Sequence, residues 1–164
     1  MNRDDYLNAV TEYFYGGEVM GEAFFAAYLA READKVRRHK WGTLMQLETE
    51  TKALLRPFIA NLGLGIEEPD VAARIAEYAS AYHAKSWRQH MEEIADITSF
   101  FLEKFHGIAA AAPEQEQATA QYMIEHETAI HDFARLELRG DARGSLAGVV
   151  RQLRWPLPEP TVCP

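Results

Sequence analysis

The stretch Leu44-Met45-Gln46-Leu47-Glu48-Thr49-Glu50-Thr51-Lys52-Ala53-Leu54-Leu55-Arg56-Pro57-Phe58 decides the fold class. Leu44, Leu47, Thr51, Leu55 and Phe58 return every three or four positions, the period of one face of an α-helix. Glu48 stands inside that face. A carboxylate is costly to bury unless it is paired or binds a cation. The stretch therefore reads as a helix that folds its apolar side around a polar site. Two other stretches repeat the pattern with imidazole. His90 lies among Trp87, Ile94, Ile97 and Phe101, and His126 among Tyr122, Met123, Ile130 and Phe133.

Outward from there the chain is helical almost throughout, and helix breakers mark the boundaries. Asp4 or Asp5 can cap a first helix running to about Ala33, with Leu7, Val10, Phe14, Gly21, Phe25 and Tyr28 as its stripe. The second helix spans about Asp34 to Asn61, with Pro57 expected to kink it, and Leu62-Gly63-Leu64-Gly65 closes it. Pro69 opens a further helical stretch. A third long helix runs from about Trp87 to Ile108, and a fourth from Pro113-Glu114 to Arg139-Gly140. A short helix follows over about Ser145 to Leu153. Trp155-Pro156-Leu157-Pro158-Glu159-Pro160 cannot be helical and should lie extended. No strand pattern competes. The expectation is an all-α, antiparallel four-helix bundle over residues 1–154, with extra short helices and a Pro-rich tail over 155–164.

Composition narrows the partners. The chain has 164 residues, one cysteine (Cys163) and a net charge of −8, with 48% apolar and 26% charged residues. One domain of this size can bury a core without disulfides. An acidic surface repels phosphate backbones, so nucleic acid is not an expected partner. The basic run Lys35-Val36-Arg37-Arg38-His39-Lys40 reads as a solvated helix end. The N-terminus is polar and acidic, unlike a signal peptide, and no apolar stretch of about 18 residues spans a membrane. A cytoplasmic protein that pairs with itself as a dimer is expected, with Trp155 to Leu157 as an apolar strap.

A weak internal repeat joins the helices in pairs. Gly21-Glu22-Ala23-Phe24-Phe25 is similar to Ile97-Thr98-Ser99-Phe100-Phe101, and Leu47-Glu48-Thr49 to His126-Glu127-Thr128. Two helix pairs with carboxylates resemble the ferritin-like superfamily of di-iron and di-manganese carboxylate proteins. Gly21-Glu22 followed by Tyr28 looks like the first-ligand helix of its rubrerythrin-like members. The resemblance covers about residues 5 to 139. It implies a four-helix bundle, bridging carboxylates completed by imidazoles, and redox work with oxygen or peroxide. This chain departs from the family's Glu-x-x-His pattern. Thr51 stands three after Glu48, Ile130 three after Glu127, and Thr98 stands where the repeat aligns Glu22.

The residues themselves suggest a rearranged set. Glu18, Glu48, His90 and His126 could hold one metal, with Glu93 or Glu127 helping. A wheel at about 100° per residue puts both histidines near their stripe centres, Glu18 at a stripe edge and Glu22 further out. The candidate ligands are thus Glu18, Glu22, Glu48, His90, His126 and Glu127, for iron or manganese, with zinc not excluded. Without metal, Glu48 would pair with His126 or His90 in a buried hydrogen bond. Glu92, Glu93 and Asp96 read as a solvated face, and Glu125 and His131 as surface residues. Two other functions remain open: a non-catalytic bundle that acts through self-association or a protein partner, and a small apolar-ligand pocket lined by aromatics with Glu48 and a histidine as anchors.

Overall fold

The computed structural model describes residues 1–159, so Cys163 and the end of the Pro-rich tail lie outside the described residues. The chain is all-α, with no strand among the described residues. No helix is long and apolar enough to cross a membrane. The first rod is built of α1 (Arg3–Ala9), a π-helical segment (Val10–Tyr15) and α2 (Gly16–Leu29). α3 (Lys35–Asn61), α4 (Ala72–Ala81), α5 (Trp87–Ala111), α6 (Gln117–Leu138) and the short α7 (Ala147–Gln152) follow. α2 packs along α3, and α5 along α6.

The local chemistry explains these boundaries. Asp34 accepts from the amides of Val36 and Arg37 and starts α3. Ser86 and Gln89 form a reciprocal capping box on α5, satisfying amides that have no partner within the helix. Gly63 adopts φ +73°. This lets the Leu64 amide reach the Ile59 carbonyl (3.2 Å) and the Gly63 amide reach Ala60 (3.0 Å), a glycine-dependent helix stop. The first rod is capped by the Asn2 side chain rather than by Asp4 or Asp5, and α2 ends at Leu29, short of Ala33. α3 continues through Pro57, which sits on its exposed side.

The π segment was not legible in the apolar spacing. The Gly16 amide donates to the Thr11 carbonyl, five residues back, so the helix winds more slowly there than a regular α-helix. Two glycines follow because the surroundings are tight. A Cβ at Gly16 would lie 3.3 Å from the Thr11 carbonyl oxygen, and one at Gly17 3.3 Å from the Phe101 ring.

The core divides into two apolar clusters. One holds Phe25, Tyr28, Trp41, Leu47, Ile94 and Phe133. The other holds Val10, Phe14, Leu55, Phe105, Ile108 and Met123. The first rod and α6 run from the second cluster to the first, while α3 and α5 run from the first to the second. α3 and α5 therefore point the same way. The link between them is a crossover carrying α4, which lies in the helical stretch expected after Pro69. Between the clusters, each long helix contributes a buried polar residue: Glu18, Glu48 with Thr51, Thr98, and His126 with Glu127.

One polar anchor was misread from the sequence. Lys40 belongs to the basic run taken as a solvated end, but its side chain is 8% exposed and paired with Glu137, which is 3% exposed. Glu137 also accepts from Trp87 Nε1 (2.8 Å) and from the Ser145 hydroxyl. Lys40 further donates to the Ala142 carbonyl (3.2 Å), which ties the connection before α7 to α3. The described tail lies against its own chain. The amides of Arg154 and Trp155 donate to Glu50 (2.7 and 3.1 Å), and Leu157 lies over Gly42. Replacing Lys40 by alanine leaves Glu137 buried without its cation, so urea unfolding should show a loss of about 3–5 kcal/mol. A loss below about 1 kcal/mol would mean that this pair is not a structural anchor.

Candidate metal centre

Three buried side chains from three helices converge in the polar layer. His126 Nε2 of α6 lies 3.3 Å from Glu18 Oε1 of α2 and 3.7 Å from Glu48 Oε2 of α3. One oxygen or nitrogen from each of the three falls within 4.8 Å of the others. The exposures are 2% for Glu18, 5% for Glu48 and 0% for His126. Despite the short distances, His126 Nε2 makes no hydrogen bond, and neither does Glu18 Oε2. Buried polar atoms without partners are rare and need a physical explanation.

The other imidazole nitrogen fixes the tautomer. His126 Nδ1 lies 3.0 Å from Thr51 Oγ1, which lies 3.1 Å from the Tyr122 hydroxyl. A proton on Nε2 would have no acceptor in line. A proton on Nδ1 is donated to Thr51, whose own hydroxyl then donates to Tyr122. The Nε2 lone pair is thereby turned toward the two carboxyl groups, so three electron-pair donors face one point. Thr51 stands three positions after Glu48 on the same face of α3. It acts here as the support of an imidazole supplied by the opposite helix.

Electrostatics describe the same strain. Burial, then the Glu48 charge, hold the Glu18 carboxyl well above its usual range. Burial, with the nearby charge of Glu22, pushes Glu48 up to about 8. Burial presses His126 down to about 3. Glu127 is 7% exposed and is raised well above the usual range by burial and by Glu48. No lysine or arginine pairs with Glu18, Glu48 or Glu127 among the described residues. Burial disfavours the charged form of each acid, a hydrogen bond from the Glu18 carboxyl favours ionised Glu48, and a bound cation would favour the ionised forms.

Gly21 makes room for the cluster. A Cβ there would fall 2.5 Å from the Glu48 carboxyl carbon, so the glycine opens the wall of α2 that the Glu48 carboxyl occupies. Nothing else at this position would leave that carboxyl where it is.

The remaining candidates lie elsewhere. Glu22 is part of a half-exposed network: it pairs with Lys52, accepts from Thr49 (2.6 Å), and Lys52 also reaches Glu68 (2.9 Å). His90 is buried but does not join Glu48 and His126. Its Nε2 faces the Tyr82 carbonyl at 3.2 Å, and its ring stacks on Tyr82 with centroids 4.7 Å apart. A stripe-centre position placed it correctly inside the protein but in the first apolar cluster, one end away from the polar layer. Glu93 is half-buried and accepts from Tyr28 (3.0 Å) and Lys85 (2.7 Å), while Glu92 and Asp96 are exposed. His131 is half-buried, with Nδ1 2.9 Å from the Thr98 hydroxyl, so it is not a free surface residue. Thr51 was legible as sharing the Glu48 face, whereas its hydrogen bond to His126 depends on how α3 meets α6.

No protein-family model, curated protein or solved structure matches this chain. The chemistry of the cluster rests on its own residues.

The cluster dictates a pH response of the metal-free protein. At neutral pH, folded Glu48 holds a proton that the unfolded chain, with its ordinary value of 4.5, has released. More protons on the folded state means that stability falls as pH rises between the two values. His126 acts oppositely, but only below its ordinary 6.5. From pH 7 to 8 the carboxyl effect stands alone, at about 1 kcal/mol per pH unit for each acid kept protonated. Glu48→Gln should flatten this slope in chemical denaturation of metal-free protein. An unchanged slope would show that Glu48 is ionised in the native state.

Proposed function

We propose that this protein is a metal-binding four-helix bundle of ferritin-like type, with one divalent ion held by Glu18, Glu48 and His126. The observation that carries this reading is the convergence of unpartnered, buried Glu18 Oε2 and His126 Nε2 on the Glu48 carboxyl, with no protein cation to compensate them. Ligand atoms about 2.1 Å from a common ion lie roughly 3–3.5 Å apart. The separations of 3.3 and 3.7 Å in the cluster suit that arrangement. The fold gives further support. Two packed helix pairs joined by a crossover have the connectivity of ferritin-like proteins.

Two carboxylates and one imidazole favour iron or manganese, with zinc less suited to an oxygen-rich set. When bound, such an ion supplies redox chemistry toward oxygen or peroxide. The protein's own residues do the rest. Thr51 and Tyr122 hold the His126 ring in the tautomer that offers Nε2. Gly21 makes room for the Glu48 carboxyl, and the two apolar clusters bound the polar layer on either side. The family's paired site is replaced by a simpler one. On α6 the imidazole comes from His126, one residue before Glu127, and Thr98 supplies a hydroxyl rather than a carboxylate on α5. The resulting protein is a cytoplasmic redox protein that self-associates as a dimer through the exposed apolar side chains Trp155 (62%) and Leu157 (38%) near the end of the described chain.

Elemental analysis of protein equilibrated anaerobically with ferrous iron or manganese should give one ion per chain. Glu48→Gln should weaken binding at least a hundredfold, about 2.7 kcal/mol. Thr51→Val, which touches no metal, should weaken it about ten- to a hundredfold. Absence of stoichiometric metal at neutral pH, with Thr51→Val behaving as the parent, would remove the proposal. Gly21→Ala should fold, because the Glu48 carboxyl is the mobile end of a side chain, but bind metal more weakly by titration calorimetry. Parent-like affinity would show that the Gly21 opening is not needed.

A further inference from the structure

A cavity of about 1010 Å³ opens beside the polar layer. Its walls come from the first rod, the segment around α4, and α5. Packed interiors do not leave space of that size without use, and it matches the largest cavities that hold small molecules. The walls are mostly apolar and aromatic, with Tyr13, Phe24, Phe25, Phe101 and Tyr78 among them. The floor is acidic: Glu18, Glu48 and Glu127 all line it, and His126 does not.

The charge of the lining decides what can enter. Exposed Glu12, Glu67, Asp70 and Asp96 ring the opening, and Arg74 is the one cation among the described lining residues. A carboxylate or phosphate ligand would meet like charge at the opening and again at the floor. A cation meets carboxyl groups at both, and aromatic faces between them also attract cations. Glu18 and Glu48 are taken by the metal reading. Glu127 lies outside that triad, is 7% exposed, and accepts no hydrogen bond from any described side chain. It is a buried acid at the end of an apolar cavity without a partner.

We propose that this cavity binds an apolar amine, its hydrocarbon against the aromatic walls and its nitrogen on Glu127. The inference rests on the metal reading only in leaving Glu127 free of the ion. An arriving ammonium displaces the proton of the Glu127 carboxyl to solvent, whereas a neutral amine takes that proton itself; in both cases the bound state is one ammonium carboxylate pair. Removing one partner of such a desolvated pair costs far more than removing a rim charge, so Glu127 should dominate the choice of head group.

Octylamine, octanol and octanoate, each below its aggregation limit, test this by titration calorimetry on manganese-loaded protein, with metal counted in the same samples. Octylamine should bind at least tenfold more tightly than octanol, and octanoate should not saturate. Glu127→Gln should abolish the preference for amine over alcohol and leave the metal count unchanged. Ile97→Trp, which fills the cavity from α5, should weaken both neutral and cationic probes at least tenfold. Octanoate binding as tightly as octylamine, no saturable octylamine binding, an unchanged preference in Glu127→Gln, or release of the metal by octylamine would each overturn the proposal. Metal binding without octylamine binding removes the amine site alone. Octylamine discrimination through Glu127 in samples that hold no metal removes the metal reading alone.

Discussion

Three buried acids and an imidazole are held in a layer between two apolar clusters, and no lysine or arginine among the described residues pairs with them. That imbalance constrains everything around it. Burial disfavours an isolated carboxylate, so protons or a cation must offset the charge of the layer. Glu18, Glu48 and His126 are set by three separate helices, and Gly21 removes the one Cβ that would displace the Glu48 carboxyl.

The contrast with other buried charges in the same chain makes the layer informative. Lys40 and Glu137 are equally buried, yet Glu137 has an ammonium, an indole and a hydroxyl around it. Glu22 is matched by Lys52, and Lys52 by Glu68. Glu116 has the Arg3 guanidinium on both its oxygens (3.0 and 3.2 Å). This protein compensates buried acids wherever they hold the structure together. It leaves uncompensated only those that face the cavity or one another. Fully satisfied networks add to stability and rigidity, whereas unsatisfied ones cost it. Glu18 Oε2 and His126 Nε2 share this layer, whereas the other unpartnered buried atoms, the Tyr6 hydroxyl, His90 Nδ1 and Gln152 Oε1, belong to other parts of the fold.

Much of this was legible in the sequence, for a physical reason. Amphipathic period reports burial, so Glu48, His90 and His126 were all rightly placed inside from their apolar neighbours. Period does not report depth along a helix. His90 lies near the start of α5, in the first apolar cluster, so it shares a face with the polar layer but not a level. The wheel put Glu18 nearer the stripe than Glu22, and Glu18 is the buried one, but it put Glu18 only at the stripe edge, because the π segment before it winds differently from the regular helix assumed. Lys40 was hidden for another reason. A lysine in a basic run reads as solvated, and its partner Glu137 is distant in sequence and brought to it only by the packing of α6 on α3. The crossover between α3 and α5 also lay beyond pattern, since breakers show where a helix stops but not where the chain goes next.

Thr51, three residues after Glu48, ties these points together. A histidine three residues after Glu48 would lie on the same face and compete with His126 for the same space. A threonine there is short, and its hydroxyl accepts the Nδ1 proton of the imidazole coming from α6. Thr51 thereby links α3 to the imidazole of α6. Glu127, the residue beside His126, lies outside the triad. On a helix, successive residues point about 100° apart. When His126 turns to Glu18 and Glu48, Glu127 is turned aside from them and toward the cavity. The same helical geometry that moves the imidazole into the cluster therefore provides an acid at the cavity floor.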